Sequence, residues 1–203
     1  LTVSQKQLKA KAKASSSVYG AELLDSEFIV NPFDLALDDS KEDVRLTLKI
    51  VDGNDQDIKS NDVVDGQGTT FNRSAVGLYN IVKDEENSDV GNYSVSLVAD
   101  EGLYTITPRS VEFEWVGYEE LIYSGTPVNV SAQIKNLVPK SVDVGLRDSS
   151  PSERLLNSSY DDCVLDITDG NPSDAGQYRA VITGLSGADA TNYEISGGIA
   201  LFK

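Results

Sequence analysis

Histidine and methionine are absent from this 203-residue sequence, and cysteine and tryptophan occur once each, as Cys163 and Trp115. Without histidine there is no Ser-His-Asp or Cys-His catalytic arrangement and no imidazole zinc site. One cysteine excludes a disulfide within the chain, so neither half carries the inter-sheet bridge of antibody domains. Cys163 lies in Asp162-Cys163-Val164-Leu165 and reads as a small buried hydrophobe, with pairing to another chain as the alternative. No apolar run approaches the roughly 20 residues of a membrane span, so membrane insertion is not expected. The first residues do not read as a signal peptide, and any export signal is expected outside this stretch.

Positive charge is also scarce. Lys and Arg number 17 against 33 Asp and Glu, which leaves a formal net charge of -16. Such a surface repels phosphate backbones and anionic headgroups, which argues against nucleic-acid and membrane-surface partners. Its plain consequence is solubility.

What is present is period-two alternation of apolar and polar residues, the mark of half-buried strands. In Leu8-Lys9-Ala10-Lys11-Ala12-Lys13-Ala14 the lysines fall on one face. Lysine and alanine are good helix formers, but on a helix lysines two apart would scatter around the circumference and leave no apolar stripe. A strand is therefore expected. Val111-Glu112-Phe113-Glu114-Trp115 alternates likewise, with Trp115 on the inward phase. Further strands are expected over Val44–Val51, Val128–Leu137, Val142–Leu146, Tyr160–Ile167, Tyr178–Thr183, Tyr193–Ser196 and Gly198–Phe202, separated by Gly, Asn, Asp, Ser and Pro.

The pattern then recurs. Val76-Gly77-Leu78-Tyr79 matches Ala175-Gly176-Gln177-Tyr178 at an offset of 99, and Asn92-Tyr93 matches Asn192-Tyr193 at an offset of 100. Tyr19-Gly20 matches Tyr123-Ser124-Gly125. Ordered landmarks at near-constant offset predict two units, 1–107 and 108–203, with Pro108 between the last strand of one and the first of the next. Thr2–Leu8 is similar to Thr105–Val111, as though another repeat preceded the first. A second signal competes: Asp89-Val90-Gly91-Asn92-Tyr93 and Asp174-Ala175-Gly176-Gln177-Tyr178 both read Asp-x-Gly-x-Tyr, like the tyrosine corner of immunoglobulin sandwiches. Their spacing breaks the 99–100 register, so a corner is expected there only in the second unit.

The order Tyr-Gly, Val-Gly-x-Tyr, Asn-Tyr-x-Val and Gly-x-x-Thr-Ile-Thr-Pro resembles the MBG/YGX-type repeats of bacterial surface proteins and adhesins. In the first unit these are Tyr19-Gly20, Val76–Tyr79, Asn92–Val95 and Gly102–Pro108. The second unit carries Ser124 between Tyr123 and Gly125 and lacks the Thr-Ile-Thr-Pro ending. The resemblance implies an extracellular, bacterial cell-surface or secreted module whose matching residues are structural. It implies neighbouring repeats of the same parent chain as partners, and it supplies no catalytic residues.

Beside that reading stand a few chemical candidates. Asp52, Asn54, Asp55 and Asp57 bring several oxygen donors into one loop and are the best calcium candidate, though the Gly and distal Glu of an EF-hand are missing. Asp38-Asp39 and Asp161-Asp162 are weaker pairs of the same kind. Tyr118 and Tyr123 are candidate stacking platforms for host glycans, mucin or a matrix protein. Acidic residues are so numerous that a carboxylate pair for glycoside hydrolysis carries no signal. The expectation is an all-β chain of two tandem immunoglobulin-like β-sandwich domains, with β-grasp-like sheets as the alternative. That alternative needs a helix across a sheet, for which Ser17–Val30 is the one suitable stretch. The expected function is non-enzymatic, as a stalk or a presenter of a binding surface. A glycan- or mucin-binding module and an accessory domain of a secreted enzyme are the alternatives.

Overall fold

A computed structural model describes residues 2–65, 67–98, 102–117, 125–126, 130–140, 160–168, 174, 176–196 and 199–202. Tyr118, Tyr123 and the strand expected at Val142–Leu146 lie outside the described residues. The protein is mostly β, and among the described residues the longest helical element is the four-residue 3-10 helix Ile58–Asn61. No helix occurs over residues 17–30, where β-grasp-like sheets would have required one. The chain divides into two compact units: Leu1–Asp62 with Ser74–Thr107, and Val63–Arg73 with Pro108–Lys203. The sequence division into 1–107 and 108–203 differs from this in one segment, Val63–Arg73.

The first unit is built from β1 (Lys6–Ala12), β2 (Ser15–Val18), β3 (Phe28–Val30), β4 (Leu48–Val51), β7 (Gly77–Lys83), β8 (Tyr93–Leu97) and β9 (Leu103–Thr107). They form a three-stranded sheet in the order β3-β1-β8 and a four-stranded sheet in the order β2-β9-β7-β4. β1 shows why alternation defeats helix propensity here: Leu8, Ala10 and Ala12 are buried, while Lys9 and Lys11 stay in water. Leu8, Ala10, Val30 and Tyr93 of the smaller sheet join Leu35, Val44 and Leu46 in one apolar cluster, with Leu48 of β4 packed against it. Val44 and Leu46, expected on a strand, reach this core from irregular backbone before β4.

Consecutive strands β7, β8 and β9 alternate between sheets. β7 and β9 are antiparallel neighbours, while β8 leaves to run parallel to β1, with Lys6 opposite Tyr93 and Ala10 opposite Leu97. In an immunoglobulin sheet the last two strands are neighbours joined directly. The return from β8 to β9 passes Gly102 at φ +88°, where a Cβ would stand 2.1 Å from the Ala12 carbonyl oxygen. Only glycine fits there.

The second unit contains β5 (Asp62–Val64, its first residue at the division) and β6 (Thr70–Asn72), paired with each other, then β10 (Arg109–Ser110) and β11 (Phe113–Val116). β12 (Ser131–Ile134), β13 (Val164–Thr168), β14 (Tyr178–Ser186), β15 (Tyr193–Glu194) and β16 (Ile199–Phe202) follow. Its pairings parallel those of the first unit. β11 lies antiparallel to β12 as β1 does to β3, and β10 runs parallel to β15, with Arg109 opposite Tyr193, as β1 does to β8. The order β13-β14-β16 corresponds to β4-β7-β9. Trp115 packs against Val130 and Ala180 and meets Phe113 edge-on at 6.3 Å, the inward role its alternation predicts.

Candidate functional site

The residues that stand out most in the sequence are tyrosines, and their hydroxyls make corresponding hydrogen bonds in each unit. The hydroxyl of Tyr79 donates to the carbonyl of Ala75 at 2.6 Å, and that of Tyr178 donates to the carbonyl of Asp174 at 2.8 Å. Both bonds reach back four residues. The glycine two before each tyrosine leaves room for the ring: a Cβ at Gly176 would press on the Tyr178 ring at 3.2 Å, and one at Gly77 would touch Tyr79 at 4.0 Å. The corner geometry thus belongs to the Val-Gly-x-Tyr pair at offset 99, and within Asp-x-Gly-x-Tyr it occurs only in the second unit.

Tyr93 and Tyr193 do something different, and again the same thing in each unit. The Tyr93 hydroxyl accepts the Ala36 N–H at 2.7 Å and donates to Oδ2 of Asp39 at 2.6 Å. The Tyr193 hydroxyl accepts the Val138 N–H at 2.9 Å and donates to Oδ2 of Asp161 at 2.8 Å. Each ring is buried at the start of a strand that runs parallel to another of its unit, β8 to β1 and β15 to β10, and each hydroxyl satisfies one backbone donor and one carboxylate. The hydrogen bond to Asp39, with burial adding to it, holds the Tyr93 hydroxyl above its ordinary pKa. Asp39 and Asp161 are members of the two weaker acidic pairs singled out as oxygen donors; here each receives a tyrosine.

In the second unit this latch extends further. Oδ1 of Asp161 takes Nη1 of Arg73 at 2.6 Å, and the same nitrogen donates to the Pro139 carbonyl at 2.8 Å. The Asp161 side chain has no exposed surface, and Arg73 is four-fifths covered. A buried charge without its partner would be strongly destabilising, so this pair joins the segment Val63–Arg73 to the unit that contains Asp161. Arg73 and Asp161 are 88 residues apart, and no local pattern in the sequence links them.

The calcium candidates occupy the turn after β4. Oδ1 of Asp52 accepts the N–H groups of Asn54 at 2.8 Å and Gln56 at 3.0 Å, and Oδ1 of Asp57 caps the following 3-10 helix through Lys59 N–H at 2.9 Å. Asp55 has φ +61°, closing the turn. Asp65 repeats the device, accepting from Gln67 and Thr69 N–H at 2.8 Å each. The backbone bonds match as well: Asp52 to Gln56 and Asp55 to Asp52 in one loop, Asp65 to Thr69 and Gly68 to Asp65 in the other. The donations from Gln56 and Asn54 hold the Asp52 carboxyl below its ordinary pKa. Among the described residues no three acidic or cysteine side chains are placed to share a metal ion.

The remaining motif residues serve backbone geometry. Gly20 and Gly125 both adopt left-handed backbone, at φ +74° and +75°. Tyr19 is buried, and its N–H donates to the Thr107 carbonyl. Asn92 is exposed and offers its carbonyl to Lys6 N–H, whereas Asn192 ends the 3-10 helix before β15. A groove of about 580 Å³ lies among β7, β8 and β9, lined by Ile81, Val95, Leu97, Leu103 and the polar Asn80 and Lys83. Lys83 is paired with Glu85 at 2.6 Å, and these are the only ionisable groups among the described lining residues. Cys163 is buried, and desolvation, reinforced by Asp161, Asp162, Asp189 and Asp166, pushes its thiol up to about 12. Such a thiol is not a nucleophile near neutral pH. Comparison with protein-family models, with curated proteins and with solved structures finds no significant match.

Proposed function

We propose that this chain is a non-enzymatic structural module of a bacterial surface-exposed protein, two tandem β-sandwich repeats of immunoglobulin size, though not of immunoglobulin strand order at β8 and β9, that serve as a stalk. The observation that carries the reading is the duplication of both tyrosine devices. Tyr79 and Tyr178 make one bond, Tyr93 and Tyr193 make another, at offsets of 99 and 100 residues. The side chains that dominate the sequence pattern are thus committed to holding each unit's own loops. That is what a repeated scaffold requires, and it commits those hydroxyls to bonds within the chain. Parallel strand pairings in the two units support the same reading, as does the resemblance to MBG/YGX-type repeats.

The direct test is to probe glycan and mucin arrays with the labelled full chain, in calcium and in chelator. A stalk module gives no reproducible signal in either condition. Saturable binding to a glycan class would replace the stalk reading with that of a recognition module, and would direct mutagenesis to Tyr118 and Tyr123.

A further inference from the structure

We propose that the loop over residues 31–38 of the first unit is a docking surface for a protein partner that presents cationic side chains around apolar sockets. Phe33 is 94% exposed and Leu37 is 91% exposed, while Leu35 between them belongs to the core. Single exposed apolar side chains are ordinary on a protein surface. These two differ because the backbone that carries them is pinned from below. Asn31 Oδ1 accepts the Phe33 N–H at 3.1 Å with Pro32 opening the turn, Lys6 Nζ donates to the Leu35 carbonyl at 2.7 Å, and the Tyr93 hydroxyl holds Ala36 and Asp39. The loop is ordered before any partner arrives, so docking need not supply that ordering.

The described residues of the second unit's latch carry no such display. Val138 is held by Tyr193 as Ala36 is held by Tyr93, yet Val138 is fully buried, and residues 136–140 expose no large apolar side chain. Among the described residues, the exposure of Phe33 and Leu37 is therefore found at one of the two matching latches. Charge then selects the partner. Asp34, Asp38, Glu42 and Asp43 are all exposed, and the one cation within residues 31–43, Lys41, lies 4.7 Å over the Phe28 ring. A second copy of this chain would bring a further net charge of -16 to the encounter. Opposite charge speeds association and fixes orientation, whereas like charge opposes it. A cationic protein surface fits. The inference does not rest on the cell-surface reading, since the loop would be presented equally by a scaffold elsewhere.

The test is selection of phage-displayed random peptides on the full chain. The expected winners combine Lys or Arg with Leu, Ile, Phe or Trp, and their Kd weakens about ten-fold or more in Phe33→Ala or Leu37→Ala. Asp34→Asn with Asp38→Asn slows association and flattens its salt dependence. Thermal melts of all four substitutions should match the parent, because the side chains removed are exposed. The proposal is overturned if no sequence class is enriched, or if enriched peptides bind Phe33→Ala and Leu37→Ala unchanged. Self-association in sedimentation that Phe33→Ala abolishes would assign the loop to a second copy instead, and vesicle binding lost in the same variant would assign it to lipid. Either result overturns the proposal.

Discussion

The hydroxyl of Tyr193 stands 2.8 Å from Oδ2 of Asp161, and Oδ1 of the same carboxylate stands 2.6 Å from Nη1 of Arg73. One buried carboxylate thus ties a strand-opening tyrosine to the segment Val63–Arg73, far away in sequence. Removing one member of a buried ion pair leaves an uncompensated charge, at a cost of roughly 3–5 kcal/mol. Arg73→Ala should therefore destabilise the second unit by about that amount, and Arg73→Lys by less, because charge is kept and the planar fork is lost. Trp115, the only tryptophan, lies in β11 of the second unit and reports on it by fluorescence during urea unfolding. An unchanged midpoint in Arg73→Ala would show that the pair adds nothing to stability.

Tyr193→Phe keeps the buried ring and removes only the hydroxyl. The Val138 N–H and one oxygen of Asp161 then lose a partner inside the protein, which costs roughly 1–3 kcal/mol. A double-mutant cycle with Arg73→Ala should show coupling, because both groups act on one carboxylate. Additive effects would mean that Tyr193 and Arg73 act separately. Tyr93→Phe should lower the melting temperature by the same mechanism, through Ala36 and Asp39.

Much of the strand pattern was legible because it rests on local periodicity. Lys9 and Lys11 alternate with Leu8, Ala10 and Ala12, and no other element gives those side chains consistent environments. The pairing of Tyr79 with Tyr178 was legible for a different reason: a ring over a glycine two residues earlier constrains both positions within a few residues. The latch partners were visible only as acidic pairs. Nothing near Asp39 says that its oxygen belongs to Tyr93, 54 residues on, because that contact exists only once β8 lies beside β1. The same limit hides Arg73–Asp161. The loop at Asp52 shows a further reason, since a carboxylate that closes a turn and one that binds calcium use the same residues, and only geometry separates them.

That separation can be tested at Asp52. Asparagine keeps an oxygen able to accept the Asn54 and Gln56 N–H groups, while alanine does not. If the side chain serves the turn, Asp52→Asn retains most of the parent's thermal stability and Asp52→Ala is less stable, with or without calcium. A melting temperature that rises with calcium in the parent but not in Asp52→Asn would make this loop a metal site.

Gly102 offers a test of how tightly the two sheets of the first unit constrain the return to β9. Its φ is +88°, and an added Cβ would lie 2.1 Å from the Ala12 carbonyl oxygen and 2.5 Å from the carbonyl carbon. Backbone cannot yield as a flexible side chain can, so Gly102→Ala should push the segment entering β9 away from the end of β1 at Ala12 or prevent folding of the unit. Gly91 also has positive φ, at +55°, but a Cβ there meets nothing within 4 Å. Gly91→Ala should therefore cost only the left-handed backbone penalty, roughly 1–2 kcal/mol. Similar losses in the two variants would remove the steric argument and leave the backbone one.

Cys163 makes the pH dependence of the second unit testable. Burial, with the nearby aspartates adding to it, raises the native thiol to about 12, whereas an unfolded chain titrates near ~8.5. Below about pH 8.5 both states hold the proton, and the contribution to stability is complete. As pH rises from there toward 12 the unfolded chain releases its proton first, so the native state progressively loses that advantage. Tyr79 and Tyr93, also held above their ordinary value, add a loss of the same sign from about pH 9 upward, which leaves about pH 8.5–9 as the window where the thiol dominates. Unfolding midpoints should fall with pH across that window in the parent and stay flat in Cys163→Ala, whatever the offset caused by the smaller side chain. A thiol reagent at pH 8 should label the native protein only as fast as it opens, and the urea-unfolded chain at once. Rapid labelling of the folded protein, or parallel pH slopes in the two proteins, would place Cys163 in a far wetter setting than the strand start at β13 provides.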